Sequence, residues 1–235
     1  MTIVIAVTAD GTAVPPAFIL PGKSCAVNVL VACAVADALV LATPKSFMNA
    51  DLFDSWLETF GEWKLKARSA RHAVLVMDNC SSHLTYNSLA IFEAYGVYIV
   101  GLPPNSTHLL QPLDVTVFRS FKAKISNGVT RHLQSLNTTT LPRPFAIQIA
   151  GDAYNSSFRT VHDADKSSSA IVNGFGTCGV RPLSLPQMLH RWEKATMNGV
   201  RSDQATAAWL KTKQHAREEV DSTTTQGKGT QGCGH

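Results

Sequence analysis

Two carboxylates stand where sheet proteins place their chemistry. His72-Ala-Val-Leu-Val-Met77 is a continuous apolar run, the pattern of a parallel strand buried on both faces, and it stops at Asp78. Asp114 comes after the next such run, Val97-Tyr-Ile-Val100, and after the polar, Pro-stiffened loop Leu102-Pro-Pro-Asn-Ser-Thr-His108. It opens a segment in which Val117, Phe118, Phe121 and Ile125 recur at helical spacing. In open α/β sheets, sites gather outside the carboxyl ends of strands. A strand-end acid and an acid at the next helix start can therefore converge, and their hard oxygens suit Mg²⁺ or Mn²⁺ and phosphoryl chemistry. The same letters also fit a turn-forming Asp78 and a helix-capping Asp114, and spacing alone leaves both readings open.

The surrounding elements follow from local pattern. Residues 2–8 and 17–20 are β-type runs flanking Asp10-Gly11, a hairpin signal. Cys25 to Thr43 is rich in Ala, Val and Leu without clean period, which fits a buried helix, a strand such as 39–41, or both. Asn49 is suited to cap a helix carrying Asp51 in its first turn and Leu52, Phe53, Trp56, Leu57 and Phe60 on one face. Thr85 to Tyr95 reads as a helix stopped by Gly96, so strand, helix and strand imply a right-handed parallel crossover. On the helix after Asp114, Arg119, Lys122 and Lys124, with Arg131 further on, fit a DNA path beside the acids or equally a solvated face. The resulting organisation is a core over 1–136, a linker over 137–144, helical segments over 145–200, a helical extension over 201–220 and a disordered tail over 221–235.

Composition narrows the class. The 235 residues are 45% hydrophobic and 16% charged, too apolar for disorder throughout, and no apolar run approaches the roughly 18 residues of a membrane span. The formal charge of +4 permits nucleic-acid contact without demanding it. Five scattered cysteines with no CxxC pair argue against a disulfide framework and for a reducing compartment. No basic region precedes the first apolar stretch, so it reads as a strand rather than a signal peptide. Cys80 and His83, with His72 and His108, sketch a zinc site that lacks a second close ligand pair. Trp56, Phe60, Phe118 and Phe121 are core residues by their spacing.

The residues around the two acids carry more. Asp78-Asn-Cys-Ser-Ser-His83 and Leu102-Pro-Pro-Asn-Ser-Thr-His-Leu-Leu-Gln-Pro-Leu-Asp-Val-Thr-Val-Phe118 closely resemble signatures of the pogo and Tigger-like branch of the DDE transposases, which includes jerky-like proteins and centromere protein B. Thr43-Pro-Lys-Ser-Phe-Met-Asn-Ala-Asp-Leu-Phe53, Val7-Thr-Ala-Asp-Gly11 with Pro15-Pro16, and Gly174-Phe-Gly-Thr-Cys-Gly-Val-Arg-Pro-Leu-Ser184 continue the resemblance over roughly 2–185. It implies an α/β, RNase H-like mixed sheet flanked by helices, in which three acids hold two divalent metals that activate water or a 3′-hydroxyl for phosphodiester chemistry. Asp78 matches the second acid and Asp114 the third, with Asn79 and His83 beside the metals and His108 among the candidate DNA contacts.

By the same resemblance, the first acid and its central strand would precede Thr2, so the chain looks like a truncated copy with two strand edges lacking their partner. Neither Asp10, Asp37, Asp51 nor Asp54 is a good substitute ligand. The expectations are a nuclear DNA-binding protein without a membrane anchor, with a homo-oligomer allowed and little or no cleavage by this chain alone. The alternative is a domesticated, non-catalytic DNA-binding or protein-interaction module.

Overall fold

The computed structural model describes residues 1–67, 72–78, 84–159 and 167–197. The chain opens as a hairpin: β1 (Thr2–Val4) runs antiparallel to β2 (Ala17–Pro21) with Thr2 opposite Ile19, and the pairing continues through a bridge between Val7 and Ala13. Its turn needs Gly11 at φ 94°, and the Thr12 amide donates to Asp10 Oδ1 at 3.2 Å. The aperiodic stretch that follows yields both a helix and a strand. α1 (Val27–Val31) is largely open to solvent, with only Val29 tucked in, which corrects the expectation of a buried helix. β3 (Leu39–Thr43) then lies parallel to β2.

α2 (Ala50–Ala67) starts where its cap permits: Asn49 Oδ1 accepts from the Leu52 amide at 3.0 Å, and Asp51 lies in the first turn. Its buried stripe is Phe53, Trp56, Leu57 and Phe60. β4 (Ala73–Met77) and β5 (Val97–Gly101) pair in parallel and are linked through α3 (Tyr86–Ala94). A reciprocal Thr85–Ser88 capping box begins α3, and Gly96 at φ 61° ends its turn.

The strands form two small sheets, ordered β1-β2-β3 and β4-β5. No strand bridges them among the described residues; one aromatic stripe underlies both instead. Val4, Ala6 and Leu39 from the first sheet and Leu75, Met77, Val97 and Ile99 from the second pack on the α2 cluster that includes Phe92. The result is the mixed α/β, RNase H-like arrangement of sheet and flanking helices.

One expectation is corrected. β4 and β5 are not buried on both faces: Val74 is 64% and Tyr98 60% exposed. Their outer face is covered near Val76, where Leu102, Leu109, Leu110 and Met188 of α4 (Thr107–Leu110) and α8 (Leu185–Met197) and the loop before them gather. Nothing described covers the rest.

Another core closes the first sheet. Phe18 and Leu20 meet Phe121 from α5 (Phe118–Ser135), Ile147, Ala150 and Tyr154 from α6 (Arg143–Tyr154), and Ile171 from α7 (Ser167–Cys178). Residues 136–142 turn the chain so that α6 packs along α5. The expected extension over 201–220 and tail over 221–235 lie outside the described residues.

Candidate functional site

Asp78 is the first residue after β4, and its side chain is exposed. The Leu102 amide donates to the Met77 carbonyl at 2.8 Å, which holds the carboxyl ends of β4 and β5 level where the next loop departs. That loop is internally fastened: Ser106 Oγ donates to the Pro103 carbonyl at 2.7 Å, Asn105 takes φ 58°, and the amides of Leu109 and Leu110 bond back to Ser106. Arg191 of α8 pins α4 from outside, its Nε donating to Leu109 O at 2.8 Å and its Nη2 to His108 O at 3.1 Å.

Asp114 sits in the first turn of a π-helical segment, Leu113–Val117, that runs directly into α5. The acid therefore does stand at a helix start, but in a wide turn rather than a regular α-turn; such turns recur at functional sites. Leu113 and Val117 are buried on either side, so the exposed Asp114 carboxylate faces outward. Neither Asp78 nor Asp114 has a hydrogen-bond or ion-pair partner among the described residues.

The wide turn has a support that pattern reading missed. A Cβ on Gly174 of α7 would lie 2.6 Å from Thr116 Oγ1 and 3.0 Å from Pro112 O, so α7 lies flush on the segment bearing Asp114. Only glycine allows that approach. The signal was present in the Gly174-Phe-Gly-Thr-Cys-Gly stretch, whose last glycine, Gly179, takes φ 69°.

The other candidate ligands are dispersed. Asn79 and His83, with Cys80, lie outside the described residues. His72 stands at the amino end of β4, 5.5 Å ring to ring from Tyr98, and His108 is exposed on α4 beyond the carboxyl end of β5, so these two histidines do not share a zinc site. Asp10 belongs to the hairpin turn, Asp37 is exposed at φ 61°, and Asp54 accepts from Asn87 Nδ2 at 2.7 Å. Among the described residues no three His, Cys, Asp or Glu side chains gather as a metal-holding group.

The basic residues of α5 also separate. At about 100° per residue, Arg119 and Lys122 project to one flank and Lys124 and Arg131 to another, roughly 160° around the helix. Lys122 lies over the Phe118 ring at 5.6 Å, while Lys124 donates to Ser156 O at 2.8 Å and to Ser157 Oγ at 3.1 Å beyond α6. The four cations thus do not form one stripe.

Comparison with known proteins adds an independent line. The family model described as "DDE superfamily endonuclease" matches residues 1–173. A curated relative, the "MFS-type transporter clz9" of Cochliobolus lunatus, is 22% identical over 177 residues, covering 74% of this chain and 18% of that protein. The chain thus spans under a fifth of the length of that relative. No solved structure matches. Among the described residues no helix is long and apolar enough to cross a membrane.

Proposed function

Since the chain belongs to the family of DDE superfamily endonucleases, we propose that it is a transposase-derived domain of the pogo and Tigger-like kind, acting on DNA in the nucleus. Its ancestral chemistry is metal-dependent strand cleavage and transfer. The observation that carries this reading is the pair of exposed carboxylates, without partners among the described residues: Asp78 at the carboxyl end of β4 and Asp114 in the wide turn before α5. Such hard-oxygen donors fit Mg²⁺ or Mn²⁺. Bound there, the cations would supply activation of water or a 3′-hydroxyl and stabilisation of the leaving oxygen.

The remaining work falls to the chain itself. Leu102, bonded to Met77 beside Asp78, and the Ser106-fastened loop carry the backbone from β5 towards the turn of Asp114, and Gly174 lets α7 pack on that turn. Asn79 and His83 adjoin Asp78 in sequence and are suited to orient a ligand carboxylate or a water. His108, Arg119 and Lys122 are exposed groups suited to phosphate oxygens. Among the described residues no third acid joins them, and two acids alone hold a cation pair poorly, so cleavage by this chain alone is expected to be slight.

The test is calorimetric titration of the chain with Mg²⁺ or Mn²⁺, against the Asp78→Asn, Asp114→Asn double variant. Binding heat present in the native chain and lost in the variant supports the reading; equal heats in both sink it. A second reading, a DNA-binding module without catalysis, is favoured by there being no three-ligand cluster among the described residues. Salt-sensitive DNA binding that persists in chelator and survives Asp114→Ala would select it.

A further inference from the structure

One hollow among the described residues lies away from the acids. It is a groove of about 740 Å³ between α5 and α6, within the roughly 300–1,000 Å³ of small-ligand clefts. Gly128 sets its depth: a Cβ there would lie 2.6 Å from Ile149 Cγ2, so the two helices touch at that point and the groove opens outside the contact.

The lining has a definite chemical order. His132 and Phe145 face each other across the helices with ring centroids 4.2 Å apart, and Phe145 remains 40% exposed, a ring surface open at the groove. Lys124 and the exposed Arg131 line the same groove from α5. Arg131 has no partner among the described residues, and the tie of Lys124 to Ser156 and Ser157 fixes its ammonium group at the groove's end. Asn127 and Gln148, both exposed and unbonded among the described residues, offer amide donor and acceptor pairs from either helix. Asp152 is the one carboxylate among the lining residues, against two cations.

An aromatic platform, cations beside it and amides able to read a base edge together suit an unpaired nucleotide: the base stacks on the ring while the phosphate meets guanidinium and ammonium. A duplex hides its base faces and could use only the cations. We propose that the α5/α6 groove binds single-stranded nucleic acid, base on Phe145 and backbone on Arg131 and Lys124. This deepens the reading of the chain as a DNA-acting domain and rests on it, but it uses residues separate from Asp78 and Asp114 and needs no metal.

The test is fluorescence anisotropy of a labelled oligodeoxythymidylate with the full chain in chelator, beside a duplex of matched length. The single strand is expected to bind more tightly than the duplex. Arg131→Glu and Phe145→Ala should each weaken it by about tenfold, the loss of one phosphate contact or one stacking surface. Asp152→Asn should tighten it severalfold, a gain that misfolding cannot imitate, and Lys66→Ala at the end of α2 should leave it unchanged. Preference for duplex, native-like binding by Arg131→Glu or Phe145→Ala, or no binding at all would overturn the proposal. Because the metal titration reads the acids and this assay excludes metal, either conclusion can fail while the other stands.

Discussion

The Tyr154 hydroxyl donates to the carbonyl oxygen of Val14 at 2.7 Å, joining α6 to the chain just ahead of β2 across 140 residues of sequence. The side chain is fully buried between the first sheet and the C-terminal helices. Tyr154→Phe keeps the ring and removes the donor. It should destabilise the fold by about 1–3 kcal/mol, read as a lower urea midpoint with the slope unchanged.

Gly174 and Gly176 share one helix, but their surroundings differ. An added Cβ at Gly174 meets Thr116 and Pro112, whereas at Gly176 the nearest atom is Arg181 O at 4.0 Å. Gly174→Ala should cost about 1–3 kcal/mol and weaken divalent-metal binding by displacing the turn under Asp114. Gly176→Ala should do neither. Calorimetry and thermal melts of the two variants decide it; equal effects would remove Gly174 from any role in placing the acid.

Lys64 is buried on α2, and its ammonium donates to the carbonyls of Tyr95 at 2.6 Å and Gly96 at 3.4 Å at the C-terminal end of α3. A cation there satisfies helix-end carbonyls and complements the helix dipole. Lys64→Met, which preserves the stem, should lose about 1–3 kcal/mol in chemical denaturation. An unchanged midpoint would mean that water replaces the ammonium at no cost.

Burial holds the Cys178 thiol up, from about 9 to about 11, with the nearby Arg191 guanidinium pulling weakly the other way. Because the folded state retains this proton longer than the unfolded state, the associated stability is complete below pH 9 and is lost between about pH 9 and about pH 11. Cys178→Ala should flatten part of the alkaline loss in that window. Site-mapped alkylation at pH 8 should label the half-buried Cys25 and Cys33 while sparing Cys178 until the chain unfolds.

Legibility in the sequence followed the physical range of each signal. α2 was readable because its cap and stripe are local, and the β4-α3-β5 succession because apolar runs flank a helical stretch that Gly96 stops. The open face of β4 and β5 was not readable: an apolar run such as Ala73–Met77 is apolar on both sides whether or not anything covers them. α1 and β3 emerged from a stretch with no period to read. The placement of Asp78 at a strand end and of Asp114 at a helix start was legible from the apolar runs around them. The wide turn and the close seat of Gly174 on it were not, since they arise only where α7 packs on the segment in the folded chain, whereas the division of the α5 cations follows from helical phase alone.

The separation of the two sheets bears on how this chain behaves in crowded solution. Among the described residues β1 pairs with β2 alone and β4 with β5 alone, so Thr2–Val4 and Ala73–Met77 each leave a side of the backbone unsatisfied by another strand. Natural sheets blunt such positions with lysine, proline or inward charge. Neither strand carries any of these, and Val74-Leu-Val-Met77 has the uncharged, β-favouring character of segments that stack between molecules. Concentrating the chain thus favours intermolecular ladders, and a lysine at exposed Val74 is the substitution that would best keep it dispersed.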